Sequence, residues 1–257
     1  MVLSTRTFDL FSHMTEEQNM YENGYNRTVT VSQAETQAST IFLAKVFNWM
    51  AIGLGLTGLM AFLVANSETA MQIFIFNPMM RWGIIIAELG LVFYLSARVM
   101  RLSPQAATAI FLIYSALNGV TLSVILHIYT STSVAATFFI TAGMFGAMAI
   151  YGMVTKKDLS GLGSFMFMGL IGIVIASVVN IFLQSSMMAW IVSGLGVIIF
   201  TGLTAYDVQK ITQIGASGIM REGEAAIRKG AIMGALTLYL DFINLFLSLL
   251  HFLGNRE

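Results

Sequence analysis

Apolar and polar positions along the chain alternate on the scale of a membrane, not of a globular core. Seven mainly apolar stretches of about 20 residues, the length that crosses a hydrocarbon layer of roughly 30 Å, are separated by polar segments. They run over residues 46–65, 82–99, 106–128, 134–154, 165–183, 188–206 and 230–253. Backbone N–H and C=O groups find no water in lipid, so each stretch is expected to form a helix. The fifth and sixth are divided only by "QSSMM", which predicts a tight helical hairpin. The pattern therefore predicts an all-α, polytopic membrane protein with seven transmembrane helices. Residues 1–44 are mixed and polar and read as a flexible N-terminal tail, leaving 45–257 as the transmembrane domain. Residues 208–229 mix both signs of charge with three glycines and predict a solvated loop, with a short helix at 222–229.

Composition turns the pattern into a class. Hydrophobic residues make up 57% of the chain and charged residues 10%, against about 25% charged in soluble domains, so polar surface is too scarce to cover a water-soluble globule. The formal net charge is zero, which leaves no basic footprint for nucleic acid. The absence of cysteine removes disulfides, thiolate zinc sites and cysteine nucleophiles together. The polar start lacks the basic-then-apolar order of a cleavable signal peptide, so the first span is expected to direct insertion. Of the 13 lysines and arginines, only Arg81 and Arg256 fall on one side of the spans, a bias that predicts a cytoplasmic N-terminus and a C-terminus outside. Trp49, Trp82 and Trp190 fall near span ends, where aromatic belts lie.

The informative residues are those that do not belong in lipid. An ionised carboxylate at membrane depth costs about 2.5–3.5 kcal/mol on insertion scales, so it needs a partner, water or a proton. Three acids qualify: Glu88, Asp207 and Asp241. In the seventh stretch Gly234, Thr237, Asp241, Asn244 and Ser248 draw one helical stripe, and Thr201, Thr204 and Asp207 repeat the device in the sixth. Gly169, Gly172, Ala176 and Asn180 make a similar face in the fifth, and Ser115 with Asn118 in the third. Stripes of small residues serve close helix packing, but packing needs no carboxylate. Converging polar faces predict a partly wet bundle core. If the seventh helix begins outside the lipid, Asp241 rises to the level of Asp207 and the two acids meet. Glu88 is expected to line the outer half of a cation path or to pair with Arg81. His127 reads as interfacial, and with His13 and His251 dispersed there is no zinc site.

Several classes drop out. A retinal protein needs a lysine inside a span for its Schiff base, and no span interior carries one. An intramembrane serine protease needs a base near Ser193, and no plausible neighbouring span offers a histidine. Paired broken helices in two repeats, usual in secondary transporters, are not visible. The chain is not expected to be an enzyme or to hold a resident cofactor.

"FTGLTAYDVQK" at 200–210 and "GALTLYLDFINLFLSLLHFLGNR" at 234–256 resemble the signature segments of the Bax inhibitor-1 family, the transmembrane Bax-inhibitor-motif proteins. "YSALNGVTLS", "TAGMFGAMAIYG", "TKKDLSGLG" and "GLIGIVIASVVNIFL" extend the resemblance over about residues 40–256, most closely to a bacterial inner-membrane branch. The resemblance implies seven helices and a calcium leak sensitive to pH, with two aspartates of the last two helices as its sensor; these are Asp207 and Asp241 here. It also implies an arginine on the second helix that holds the sensor, for which Arg98 is the nearest candidate. Physical chemistry agrees with a sensor: two carboxylates in contact cannot both ionise cheaply, so they share a proton, and losing it leaves charge that a hard dication binds through oxygen. The expected function is a calcium or cation leak channel gated by protonation of Asp207 and Asp241, which also form the candidate calcium site. Glu88, Arg98, Asn118, Asn180 and Asn244 are candidate pore or latch residues. The expected partners are lipid, protons and calcium. The competing reading is a non-conducting regulator or adaptor that binds a membrane quality-control protease or stress-response partner.

Overall fold

The computed structural model describes residues 3–255, with side chains from Gln33 to Asn255. Among the described residues the chain forms seven long helices and no strand: α1 (Leu3–Ala65), α2 (Pro78–Arg98), α3 (Pro104–Leu122), α4 (Ser131–Val154), α5 (Ser160–Leu183), α6 (Ser186–Ala216) and α7 (Glu224–Leu253). Each carries a segment long and apolar enough to cross a membrane. Helix starts follow local chemistry. Asn77 and Ser103 cap α2 and α3 by accepting free backbone N–H groups, each followed by a proline that has no N–H to satisfy. The predicted hairpin is present: Gln184 closes α5 at φ 50°, and Ser185 opens α6 by accepting the N–H of Met188. At the start of α5, the hydroxyl and backbone N–H of Ser160 bond the exposed Asp158 carboxylate and hold it below the usual carboxylate range. That contact is in place at neutral pH and is lost on acidification through the carboxylate's titration.

The core is built around α7. Leu238, Tyr239 and Leu245 are fully buried, and α1, α3, α4 and α6 pack around them. Outside this ring, α5 packs on α6 and α2 on α3. One end of the bundle gathers the basic loops, where Lys229 donates to the carbonyl of Met100 at 2.8 Å. The opposite end is fastened by the backbone bond from Thr130 to the carbonyl of Asn255.

Two expectations are corrected, and a third point adds an element. First, residues 208–216 are not loop but the last turns of α6. Val208, Ile211 and Gly215 keep helical spacing and are buried, while Lys210 and Gln213 lower the local hydropathy and hide the continuation. Gly215 lies so close to α1 that a Cβ there would come within 2.7 Å of Ser39 Cα. The turn back comes at Gly218 and Gly223, both at positive φ, so the helix expected at 222–229 is the start of α7. Second, packing begins before residue 45, because Ser39, Phe42 and Leu43 are already buried. The flexible-tail expectation for the residues ahead of Gln33 falls outside the described side chains. Third, the apolar pattern passes over a one-turn helix, Glu68–Ala70, that runs into a π-helix, Met71–Phe76. Six residues are too short to span, but they bury Met71 and Ile75 against Val64 and Val120.

Candidate functional site

On α7, Thr237, Asp241, Asn244 and Ser248 fall on one face because steps of three and four return to the same side of a helix. On α6, Tyr206, Asp207 and Lys210 face them. The carboxyls of Asp207 and Asp241 meet within hydrogen-bonding reach. Asp241 is 5% exposed and Asp207 half-buried. Both line a crevice of about 1060 Å³ whose third wall is α5, through Ser164 and Ser177. The crevice runs from Lys210, at the basic end, past the aspartates to Ser193 and His251 near the opposite end. Among the described side chains, Asp241 Oδ2 and Asn118 Oδ1 are buried without a hydrogen-bond partner. Asp207 does not end its helix, as the apolar run suggests; it lies inside α6, with more than two turns of helix beyond it.

The remaining candidates divide. Asn244 lines the crevice and donates to the carbonyl of Leu240 at 2.8 Å. Asn180 does not, because its Oδ1 accepts from the N–H of Ser185 at 3.0 Å and fastens the α5–α6 hairpin. Arg98 is exposed at the end of α2 and does not line the crevice. The cation acting on Asp207 is Lys210, one turn along α6, whose ammonium sits 6.0 Å from the Tyr206 ring centre. Glu88 pairs with Thr121, whose hydroxyl donates to it at 2.6 Å, and not with Arg81. Asn118 donates to the Tyr114 hydroxyl at 3.2 Å. The Tyr114 ring packs edge-on against Tyr239, whose hydroxyl lies 2.7 Å from Thr57 Oγ1. Tyr239 and Asp241 are two residues apart on α7 and so point to opposite sides, at about 100° per residue. The polar faces therefore form two clusters divided by α7, not one wet core.

Sequence reasoning missed Gln209. It is buried, accepts from the N–H of Leu159 at 2.9 Å and donates to the carbonyl of Lys157 at 2.8 Å. It thus pins the α4–α5 loop to α6 two residues from Asp207. A polar side chain among the buried positions 208, 209 and 211 was the available signal. Gln209→Ala leaves the Leu159 N–H without its partner, which is expected to cost about 1–3 kcal/mol locally. Faster amide exchange at Leu159, with the α7 core unchanged, is the outcome to look for.

A seven-helix integral membrane protein with two facing carboxyls in an intramembrane crevice is the class that this fold and site define. Residues 40–257 match the family described as Bax1-I, inhibitor of apoptosis-promoting Bax1. Inner membrane protein YbhL of Escherichia coli strain K12 is 52% identical over 216 residues, covering 84% of this chain and 92% of YbhL. An uncharacterized protein of Borreliella burgdorferi is 46% identical over 229 residues, 89% of this chain and 98% of the relative. An uncharacterized membrane protein of Streptococcus pyogenes serotype M1 is 42% identical over 218 residues, 84% and 93% of the two chains. The chain belongs to the Bax inhibitor-1 family, and with its seven spans it is an integral inner-membrane protein.

Proposed function

We propose that this protein is a pH-sensitive leak for calcium and similar cations, gated by protonation of Asp207 and Asp241. The observation that carries the reading is the meeting of the two carboxyls inside a crevice whose largely apolar walls carry polar side chains toward both ends of the bundle. Facing carboxylates hold a proton between them; without it they repel, and the arrangement of α6 against α7 changes its relative stability. A permeating dication meets oxygen ligands there, two carboxyls with Thr237, Asn244 and Ser248 nearby. Calcium takes 6–8 oxygens, so it crosses this point partly hydrated. With the basic end in the cytoplasm, as the positive-inside bias favours, protons reach the pair past Lys210.

The test is calcium entry into dye-loaded liposomes over a buffer series from about pH 6 to pH 8, in which a change in protonation of the pair registers as a change in flux. The wild type is expected to leak with a steep pH dependence. The double variant Asp207→Asn/Asp241→Asn is expected to leak at a rate independent of pH. No flux at any pH from folded, inserted protein would overturn the leak and favour a non-conducting adaptor.

A further inference from the structure

On the face of α7 opposite the aspartates lies a second groove of about 650 Å³, within the roughly 300–1,000 Å³ of small-molecule sites. Its walls are α1 and α4, and its floor is Phe242, Ile243 and Phe246 of α7. Three features define what fits it. It lies at membrane depth, on helices that span the bilayer, so its neighbour is lipid and not water. Along α1 it extends from Leu54 to Ala65, about 16 Å at 1.5 Å per residue, the depth of one leaflet of a hydrocarbon core of roughly 30 Å. Its polar side chains lie at one end, where Asn66, His127 and Ser131 are exposed, apart from Thr57, whose hydroxyl is already bonded within the protein. No lysine, arginine, aspartate or glutamate lines it.

We propose that this groove is a seat for one acyl chain of a phospholipid, with the head group at Asn66, His127 and Ser131 and the chain running down over Phe242 and Ile243. A second copy of the chain would cover the seam with side chains, but it would have to bury the polar rim as well. A single amphiphile leaves the rim at the membrane surface. The groove is also preformed: a Cβ on Gly58, in its α1 wall, would meet nothing within 4 Å, so the space is not held by a neighbouring side chain.

That glycine supplies the test. The full-length protein is reconstituted in vesicles of dioleoyl phosphatidylethanolamine doped with the same lipid carrying a diazirine near its chain end. After illumination, labelled peptides are mapped by mass spectrometry. Ile243 and Phe246 are only 7% and 8% exposed, so bulk lipid reaches them through the groove alone. Wild type is expected to be labelled on the peptide carrying both. Gly58→Trp, which fills the groove, is expected to cut that labelling about tenfold. Gly90→Trp, on the exposed face of α2 with nothing within 4 Å, is expected to keep it. Ala135→Phe narrows the groove from the α4 wall and must act like Gly58→Trp, which separates filling from misfolding. Labelling of α7 that both filling variants leave unchanged, no labelling of α7 in the wild type, or a crosslinked dimer joined through this face would each overturn the seat.

Discussion

Replacing Gly152 by leucine is expected to leave little folded protein. Gly152 lies on α4 where that helix meets α6, and a Cβ there would overlap the backbone carbonyl of Ala205. A carbonyl in mid-helix cannot swing aside without breaking its own ladder, so the two helices must part. Overpacking a well-packed core costs about 1–3 kcal/mol when side chains can shift, and here the obstacle is backbone, so at least about 3 kcal/mol is expected. Ala205 is two residues before Asp207, so parting α4 from α6 also displaces one aspartate from the other. The control sits on the same helix. Gly143 is exposed with nothing within 4 Å of a built Cβ, and Gly143→Leu removes a poor helix former at no steric cost. It should melt at or slightly above the wild-type temperature, by up to about 1 kcal/mol of helix propensity. Monodisperse, cooperatively melting Gly152→Leu in detergent would show that the α4–α6 approach is not what holds α6 in place.

The seven spans were legible because lipid demands long apolar helices, and that demand writes itself into hydropathy. The aspartate pair was legible for a related reason: a carboxylate in such a run at 207 and again at 241 has no packing purpose. What hydropathy hides is helix beyond the lipid. Lys210 and Gln213 make residues 208–216 look like loop, although Val208, Ile211 and Gly215 are still buried at helical spacing. The division of polar residues into two clusters was equally hidden. Stripe arithmetic assigns Asn118 and Asp241 each to a polar face and sets Asn118 one turn from Tyr114, but only packing puts that pair against Tyr239, across α7 from the aspartates. Asn180 fell on a stripe by periodicity, yet a helix end nearby claimed its side chain for the hairpin. Tertiary proximity decided Arg98 too. Its place at the basic end was readable, whereas its exposure, and the role of Lys210 as the cation acting on Asp207, depend on how α2 and α6 sit in the bundle.

Asp241→Asn is expected to raise thermal stability and to erase the pH dependence of flux in one step. Asp241 is nearly fully buried, its Oδ2 has no hydrogen-bond partner, and the nearest acid faces it. Folding therefore carries the cost of desolvating a carboxyl opposite another carboxyl. Asparagine keeps the size, donates through Nδ2 to Asp207 and cannot ionise, so a second charge can no longer form in the pair. Replacing buried ionic groups by well-packed hydrophobic residues of similar volume is often neutral or stabilising by about 1–4 kcal/mol, and an uncharged amide at this position relieves part of the same desolvation. For a protein of this size each kcal/mol moves Tm by about 2–4 °C, so a rise of several degrees at neutral pH is the expected reading. Asp207→Asn should give a smaller rise, because Asp207 is only half-buried and already has Lys210 nearby. Both variants remove the shared proton, so both should flatten the flux profile, and this separates sensing from stability. The ordering of the two melting temperatures reads burial, and the two flat profiles read the pair. An Asp241→Asn protein that melts well below wild type would mean that the carboxyl is a structural hydrogen-bonding group. Its place in the crevice would then owe nothing to protons.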